Sequence, residues 1–365
     1  MKNDGKMVLL LASLLIMIGV VMIYSSSSVY AYQRYGDSMY LIKRYLLFLF
    51  VGFAAAILSM KIPPKAFSDN ARWILFAFFV LLLFVLIPGV GVEAGGARRW
   101  MRIFGLGFQP SEGAKIAVIL YLADFASRKR HVMKDLARGF LPPMGVVFVM
   151  ALLVLAEPDM GTSVAILFIG FIMLFLAGVK IRHIAGTIVP VIPLMVMAVL
   201  FKPYRLKRVV VFLNPWSESS GAGFQLVQSF IALGSGGITG VGLGQSKQKL
   251  FYLPEAHTDF IFSIVGEELG FLGSASVIML FAALIFFIFR IAMRIKNRFS
   301  SMAVMGIGVM MAFEVLVNIG VSSGMLPTKG LPLPFLSYGG SSLLFHVVAI
   351  AIVLNLSRQC EKDLS

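Results

Sequence analysis

The chain has 365 residues, of which 59% are hydrophobic and 13% are charged, and its mean hydropathy is +0.91. A soluble domain of this size does not need so much apolar surface, and a transmembrane β-barrel would show alternation instead of continuous apolar runs. The composition therefore predicts an all-α polytopic membrane protein. The net charge of +15 is common in membrane proteins for topological reasons. Because the sequence contains no basic soluble domain, nucleic acid is not expected as a partner.

Ten apolar runs have about the length that a hydrocarbon layer of ~30 Å requires. The predicted spans lie near 7–24, 45–60, 73–92, 112–127, 141–156, 161–179, 183–201, 260–289, 301–322 and 340–357. They form one transmembrane domain, residues 1–365, whose long extracytoplasmic loop, 202–259, lies between spans 7 and 8. An even number of spans places both termini on one side.

The distribution of Lys and Arg predicts the orientation. If both termini are cytoplasmic, more than half of the 32 basic residues lie in cytoplasmic segments, as the positive-inside rule requires. The basic residues on the outer side concentrate in two clusters, which are Arg98, Arg99, Arg102 and Lys115, and Lys202, Arg205, Lys207, Arg208, Lys247 and Lys249. These clusters either anchor lipid headgroups or form a site for phosphates.

The fourth span begins with Pro110 and Ser111, residue types that are common at the start of a helix. Glu112 and Lys115 follow three residues apart, so they share one face of the helix. They could form a structural ion pair or shape a polar cavity.

Other carboxylates lie in a turn and inside two spans. The turn 157–159, between spans 5 and 6, is interpreted as solvated. Glu267, Glu268 and Glu314 lie deeper, and intramembrane carboxylates usually face the bundle interior and find partners there. The sequence does not name those partners.

The long loop contains a glycine-rich run, 234–244. The run lacks the Gly-Lys-Ser/Thr ending of a P-loop, so no nucleotide is predicted. It is either a flexible re-entrant turn or a backbone nest beside a pyrophosphate.

At the end of the same loop, Glu255, His257 and Asp259 precede an apolar segment. Placing ionisable groups at a bilayer boundary costs free energy, so their presence there indicates a structural or functional role. Asp259 could cap the following helix or act as a base. His257 could order the loop or assist proton transfer. The spacing of His and Cys excludes a zinc site, but carboxylates and pyrophosphate oxygens could together hold a divalent cation, Mg²⁺ or Mn²⁺.

The segment 326–342 precedes the last span and contains three prolines and three glycines, which exclude a continuous helix. Broken backbone at membrane depth survives only where it is buried in protein or lines a cavity. The segment is therefore interpreted as a cavity wall that includes Lys329 and Ser337.

Several of these motifs occur together in one known family. They are Gly96–Trp100, Gln109–Glu112, Glu157–Thr162, Pro254–Phe260 and the proline-rich segment around Lys329. Over nearly its whole length the chain resembles the SEDS (shape, elongation, division and sporulation) family. Two stretches are more similar to the division members of the family than to the elongation members, namely Pro254–His257 and Pro327–Pro332. A sporulation member would resemble this chain in the same stretches.

The resemblance implies a ten-span peptidoglycan glycosyltransferase that polymerises lipid II into undecaprenyl-pyrophosphate-linked glycan. It would work on the outer face of the bacterial cytoplasmic membrane, at the division septum, beside a class B penicillin-binding protein and other division membrane proteins. Asp259 matches the family's essential aspartate and would be the general base. Alternatives are a lipid II flippase and a non-catalytic scaffold for the penicillin-binding protein.

The expected substrate-binding residues come partly from the family motifs and partly from the loop chemistry above. They are Arg99, Glu112, Lys115, Arg205, Arg208, Lys249, His257, Lys329 and Ser337.

Overall fold

The computed structural model describes residues 2–94, 97–103, 105–201, 211–218, 221, 223–250, 252–327 and 330–362. Its helices are α1 (Lys2–Tyr35), α2 (Tyr40–Lys61), α3 (Pro64–Leu86), α4 (Pro110–Arg128), α5 (Leu141–Ala156), α6 (Met160–Leu176), α7 (Ile181–Leu200), α8 (Phe224–Ser235), α9 (Ile261–Arg294), α10 (Arg298–Ser322) and α11 (Gly340–Lys362). A π-helical turn at Leu136–Phe140 leads directly into α5. The predicted all-α class is confirmed.

A helix occupies each of the ten predicted positions. By length and composition, seven described helices can cross a membrane, namely α1, α2, α3, α5 with its preceding turn, α9, α10 and α11. α6 is apolar but has only 17 residues. The chain is thus a multi-pass membrane protein, and the number of ten crossings stays a prediction.

A small antiparallel sheet between α3 and α4 is absent from the sequence prediction. Its strands are β1 (Val92–Ala94), β2 (Ala97–Ile103) and β3 (Leu106–Phe108), in the order β1-β2-β3. The third span also begins earlier than predicted, because Pro64 takes the first helical position, where its fixed φ favours a helix start.

The helix ends define two faces of the bundle. On one face, Arg294 at the end of α9 donates to Asp4 of α1 at 2.6 Å, and Asn355 of α11 bonds to the end of α2. On the other face, the loop before α9 meets the start of α11, where the Tyr338 amide donates to the His257 carbonyl. The loops predicted to share the outer side do gather at this second face. Which face is cytoplasmic stays a prediction.

The glycine-rich run 234–244 docks into a break in α9. At Gly270 the backbone leaves helical geometry, with φ 68° and ψ −165°. The carbonyls of Glu267 and Glu268 accept hydrogen bonds from two amides of the run at 3.0 and 3.1 Å, and two amides beyond the break donate to carbonyls of the run at 2.9 and 3.1 Å. A Cβ at Gly240 would lie 2.1 Å from the Glu268 carbonyl oxygen, so this approach requires glycine. The run thus supplies backbone hydrogen-bond partners on both sides of the break in α9. Its two donating amides are used in this way and do not form an anion nest.

Candidate functional site

Asp259 lies in the loop immediately before α9 and is half-buried. Among the described residues, the N-cap of α9 is Phe260, with no side-chain capping hydrogen bond, so the structure does not support a capping role for Asp259. The loop turns at Glu255, which has a φ of +57° and accepts hydrogen bonds from the Thr258 and Phe260 amides at 3.1 and 3.3 Å. This tight turn brings Asp259 to the end of the bundle.

Residues 330–338, here called the strap, run along this loop. The Ser337 hydroxyl donates to the Thr258 carbonyl at 2.6 Å and accepts a hydrogen bond from a strap amide at 2.8 Å. The Tyr338 amide donates to the His257 carbonyl at 2.8 Å. Ser337 therefore lies beside the Asp259 loop, and its hydroxyl joins two backbone segments. Its contact with substrate stays a prediction.

The strap also touches the Asp259 carboxylate directly. A Cβ added at Gly330 would lie 1.8 Å from Oδ2 and 2.3 Å from Cγ of Asp259. The turn before α6 packs on the same glycine, since a Cβ at Gly161 would lie 3.3 Å from the Gly330 carbonyl oxygen. Gly330 is therefore the point where the α9 loop, the strap and the α6 turn meet.

His257 lies between two aromatic rings, with centroid distances of 5.0 Å to Tyr30 and 5.8 Å to Tyr338. Burial lowers the pKa of its imidazole, and the charge of nearby Glu255 opposes this only in part. Because burial disfavours the charged form, the ring is mainly neutral near pH 7. This environment suits an ordering role for His257.

Arg99 on β2 approaches the start of α6. Its Nη1 atom lies 4.0 Å from Oδ2 of Asp159, and the Arg99 side chain is 34% exposed. Asp159 caps α6 by accepting from the Thr162 amide at 3.1 Å, and it accepts from the Gln109 side chain at 3.0 Å. Because Gly161 in the same turn packs on Gly330, Arg99 belongs to the Asp259 end of the bundle.

Glu157, in this turn, is completely buried, which overturns the interpretation of the turn as solvated. Within the described part of the chain, neither carboxylate oxygen has a hydrogen-bond partner. Burial first, and the charge of Asp159 second, raise the pKa of Glu157 to about 8, while Arg99 opposes the shift. Glu157 is thus a neutral carboxylic acid at pH 7.

This raised pKa predicts a pH-dependent stability. Between pH 4.5 and about 8 the folded protein keeps a proton that the unfolded chain releases, so its stability falls as pH rises through this interval. Glu157→Gln has no such proton. We expect the melting temperature of Glu157→Gln minus that of the wild type, both measured in detergent at the same pH, to be a few degrees larger at pH 8 than at pH 5.

The control is Asp69→Asn, the same acid-to-amide change at an exposed position in α3, which should leave the pH dependence unaltered. If Glu157→Gln differs from the wild type by the same amount at both pH values, the buried neutral acid is not supported.

The predicted pair Glu112–Lys115 forms inside the bundle. Lys115 Nζ donates to Glu112 at 3.0 Å and also to Glu314 of α10, and these side chains are at most 3% exposed. Nε2 of His346 lies 2.5 Å from Glu314, and its Nδ1 lies 2.6 Å from the Ser342 carbonyl. Lys115 and His346 thus both bond to Glu314, which lies between them. Through Glu314 this network joins α4, α10 and α11, and the contact of Glu112 and Lys115 with substrate stays a prediction.

Lys249 belongs to a second polar cluster. Its Nζ donates to Glu268 at 2.8 Å and to the Ser25 hydroxyl at 3.1 Å, and it lines a cavity of about 510 Å³ between α1 and residues 243–250. Glu268 follows Asp259 by nine residues, which is roughly 13 Å along a helix axis. Lys249 thus bonds to α1 and α9 at this cavity, and its contact with substrate stays a prediction.

Three predicted residues, Arg205, Arg208 and Lys329, lie outside the described residues. Across the ranges that the structure does describe, no group of three or more His, Cys, Asp or Glu side chains is placed to hold a metal ion. The divalent cation therefore stays a prediction.

Two residues that position the site were not predicted. The Tyr45 hydroxyl of α2 donates to the Phe335 carbonyl of the strap at 2.6 Å. Asn318 of α10 donates to the carbonyls of Asp259 and Leu331. A lone asparagine in an apolar span is the signal that could have indicated the second, because polar groups inside a membrane need partners.

Fold and site together define a multi-pass membrane protein with a half-buried aspartate at the junction of several loops. Residues 5–362 match the model of the FtsW, RodA and SpoVE family, described as cell cycle proteins. The chain belongs to this family.

Its relatives are similar over their full lengths. The chain is 46% identical over 349 residues to the probable peptidoglycan glycosyltransferase FtsW of Trichlorobacter lovleyi, covering 96% of this chain and 92% of the relative. It is 41% identical over 358 residues to the stage V sporulation protein E of Bacillus subtilis, covering 98% of both.

Solved structures show the same fold. A chain in a peptidoglycan synthase complex matches with a TM-score of 0.81 and 28% identity, over 98% of both chains. The rod shape determining protein RodA of Thermus thermophilus matches with a TM-score of 0.70 and 26% identity, over 96% of both chains.

Proposed function

We propose that this chain is a peptidoglycan glycosyltransferase that polymerises lipid II, with Asp259 as the general base. The names of its relatives support the reaction class. The observation that supports the role of Asp259 is its carboxylate, which lies half-buried against Gly330 where the strap, the α9 loop and the α6 turn meet.

In the proposed reaction, Asp259 accepts the proton of a sugar hydroxyl on the incoming lipid II. The oxygen attacks the anomeric carbon of the growing glycan, and undecaprenyl pyrophosphate leaves in a single inverting displacement. Arginine and lysine side chains at this end of the bundle, Arg99 among them, stabilise the negative charge that develops on the leaving group. No step is assigned to a metal ion.

The proposed setting combines the distribution of Lys and Arg in the sequence with the names of the relatives. We infer that the Asp259 end faces the outside of the cytoplasmic membrane and that both termini are cytoplasmic. Because one structural relative is part of a peptidoglycan synthase complex, a class B penicillin-binding protein is the proposed partner, together with other division membrane proteins at the septum.

The deciding experiment is polymerisation in detergent. The purified full chain is incubated with lipid II, with and without a class B penicillin-binding protein whose transpeptidase is blocked, and the products are separated on a gel. Glycan strands are expected. A flippase, which the charged network in the spans would also suit, would make no polymer but would move lipid II across sealed vesicles. A scaffold would do neither.

A further inference from the structure

Asn318 is a buried amide in α10, four residues before the helix ends at Ser322. It is 1% exposed, and its Nδ2 atom donates to the Asp259 carbonyl at 3.0 Å and to the Leu331 carbonyl at 2.8 Å. Burying an amide is costly unless it is hydrogen-bonded, and these two bonds satisfy both N–H donors of the side chain. Its Oδ1 atom is buried and has no hydrogen-bond partner among the described residues.

The first bond fixes the backbone of the proposed base. Asp259 precedes the N-cap residue Phe260, so its carbonyl receives no hydrogen bond from within α9. The Asn318 side chain supplies a hydrogen bond to this carbonyl. It therefore determines where the backbone of Asp259 lies relative to α10.

The second bond fixes the strap at the same point. Leu331 follows Gly330, the residue whose backbone touches the Asp259 carboxylate. One NH₂ group thus positions both the backbone of Asp259 and the strap against which its carboxylate packs. A change of this group would alter their relative position.

The position of α10 is itself fixed by Glu314, one helical turn before Asn318. Glu314 bonds to Lys115 of α4 and to His346 of α11, so the buried charges fix α10 to both neighbouring helices. The position of Asn318, and through it that of Asp259, is therefore defined by three helices of the bundle.

We propose that Asn318 is a positioning residue for the reaction, acting through the Asp259 backbone and the strap without touching substrate. The inference rests on the proposed function of Asp259. A displacement of about 1 Å of a catalytic group can cost on the order of 100-fold in rate, whereas substrate binding by other groups would persist. Loss of Asn318 should therefore lower kcat and leave KM nearly unchanged.

The chain supplies a matched control. Asn355 of α11 is also buried, and its Nδ2 donates to the carbonyls of Ser59 and Ile62, both at 2.7 Å, at the opposite face of the bundle. Asn318→Leu and Asn355→Leu remove the same chemistry at two ends of the molecule. Both should destabilise the protein, but only the first should affect Asp259.

The test measures lipid II polymerisation by both variants with the penicillin-binding protein present. We expect kcat of Asn318→Leu to fall at least 10-fold with KM within about twofold, and Asn355→Leu to keep kcat near the wild type. Equal kcat in the two variants, or a loss confined to KM, would overturn the inference. If Asn318→Leu does not fold, Asn318→Ser, which is smaller and keeps one hydroxyl donor, should show an intermediate loss of kcat.

A second readout does not depend on activity. Hydrogen exchange of peptides covering 257–263 and 330–338 should accelerate in Asn318→Leu and stay unchanged in Asn355→Leu. Unchanged exchange in both would overturn the positioning role. Failure of the wild type to polymerise lipid II would instead reject the proposed function, so the two failures are distinguishable.

Discussion

Asp259→Asn should reduce lipid II polymerisation by at least 100-fold. General base catalysis contributes typically 10²–10⁴-fold, and the amide cannot accept the proton of the attacking hydroxyl. The shape of the side chain is preserved, so the contact with Gly330 and the fold should persist. Gel analysis of glycan strands measures the loss, and thermal melting in detergent verifies folding.

Glu255→Gln is the appropriate comparison, because Glu255 lies exposed in the same turn and its side chain accepts a hydrogen bond from the Thr258 hydroxyl at 2.7 Å. This variant should keep most of its activity. Asp259→Asn with near wild-type strand synthesis would show that another group takes the proton and that the role assigned to Asp259 is wrong.

Gly330→Ala should lower kcat by roughly 10- to 100-fold, since small misplacements of catalytic groups have effects of this size. The added methyl group would overlap the Asp259 carboxylate, with Cβ 1.8 Å from Oδ2. Gly330 is not among the residues with positive φ, so the effect would come from this overlap and not from backbone strain. The same assay, with steady-state kinetics, measures it.

For Gly330→Ala the control is Gly145→Ala in α5, where an added Cβ meets nothing within 4 Å. It should leave kcat unchanged. If Gly330→Ala polymerises lipid II as fast as this control, the carboxylate tolerates displacement, and its packing against the strap is not required for the reaction.

The sequence predicts the helices and the location of Asp259 well. Each span follows from a continuous apolar run, a signal that needs no knowledge of tertiary structure. The broken backbone of the proline-rich segment predicts a cavity wall, because backbone that cannot be helical at membrane depth must be buried in protein or line a cavity. This rule does not predict that the segment packs against the Asp259 loop, which the structure shows through Ser337 and Tyr338.

The contacts that refine the site were not predictable, because they join residues far apart in the chain. Asn318 and Asp259 are separated by 59 residues, and Lys115 and Glu314 by 199. No local pattern pairs such positions. Glu157 was misread for a related reason, since a Glu-Pro-Asp turn resembles a solvated loop until the packing of β2, α4 and α6 around it is known.

The glycine-rich run shows a further limit of the sequence. Its glycines indicated either flexibility or a nest for an anion. Their actual use depends on a partner, the break at Gly270, which lies further on in the chain and which the sequence did not predict.

The charged network around Lys115 has a consequence for biogenesis. α4 leaves the ribosome long before Glu314, 199 residues further on, can be synthesised. Until then Glu112 is the ion-pair partner of Lys115 that has already been synthesised, and α4 is not among the seven described helices that can cross a membrane by length and composition. We therefore expect α4 to reach its final buried position only after α10 and α11 have been made, so a truncated nascent chain should not complete this part of the protein.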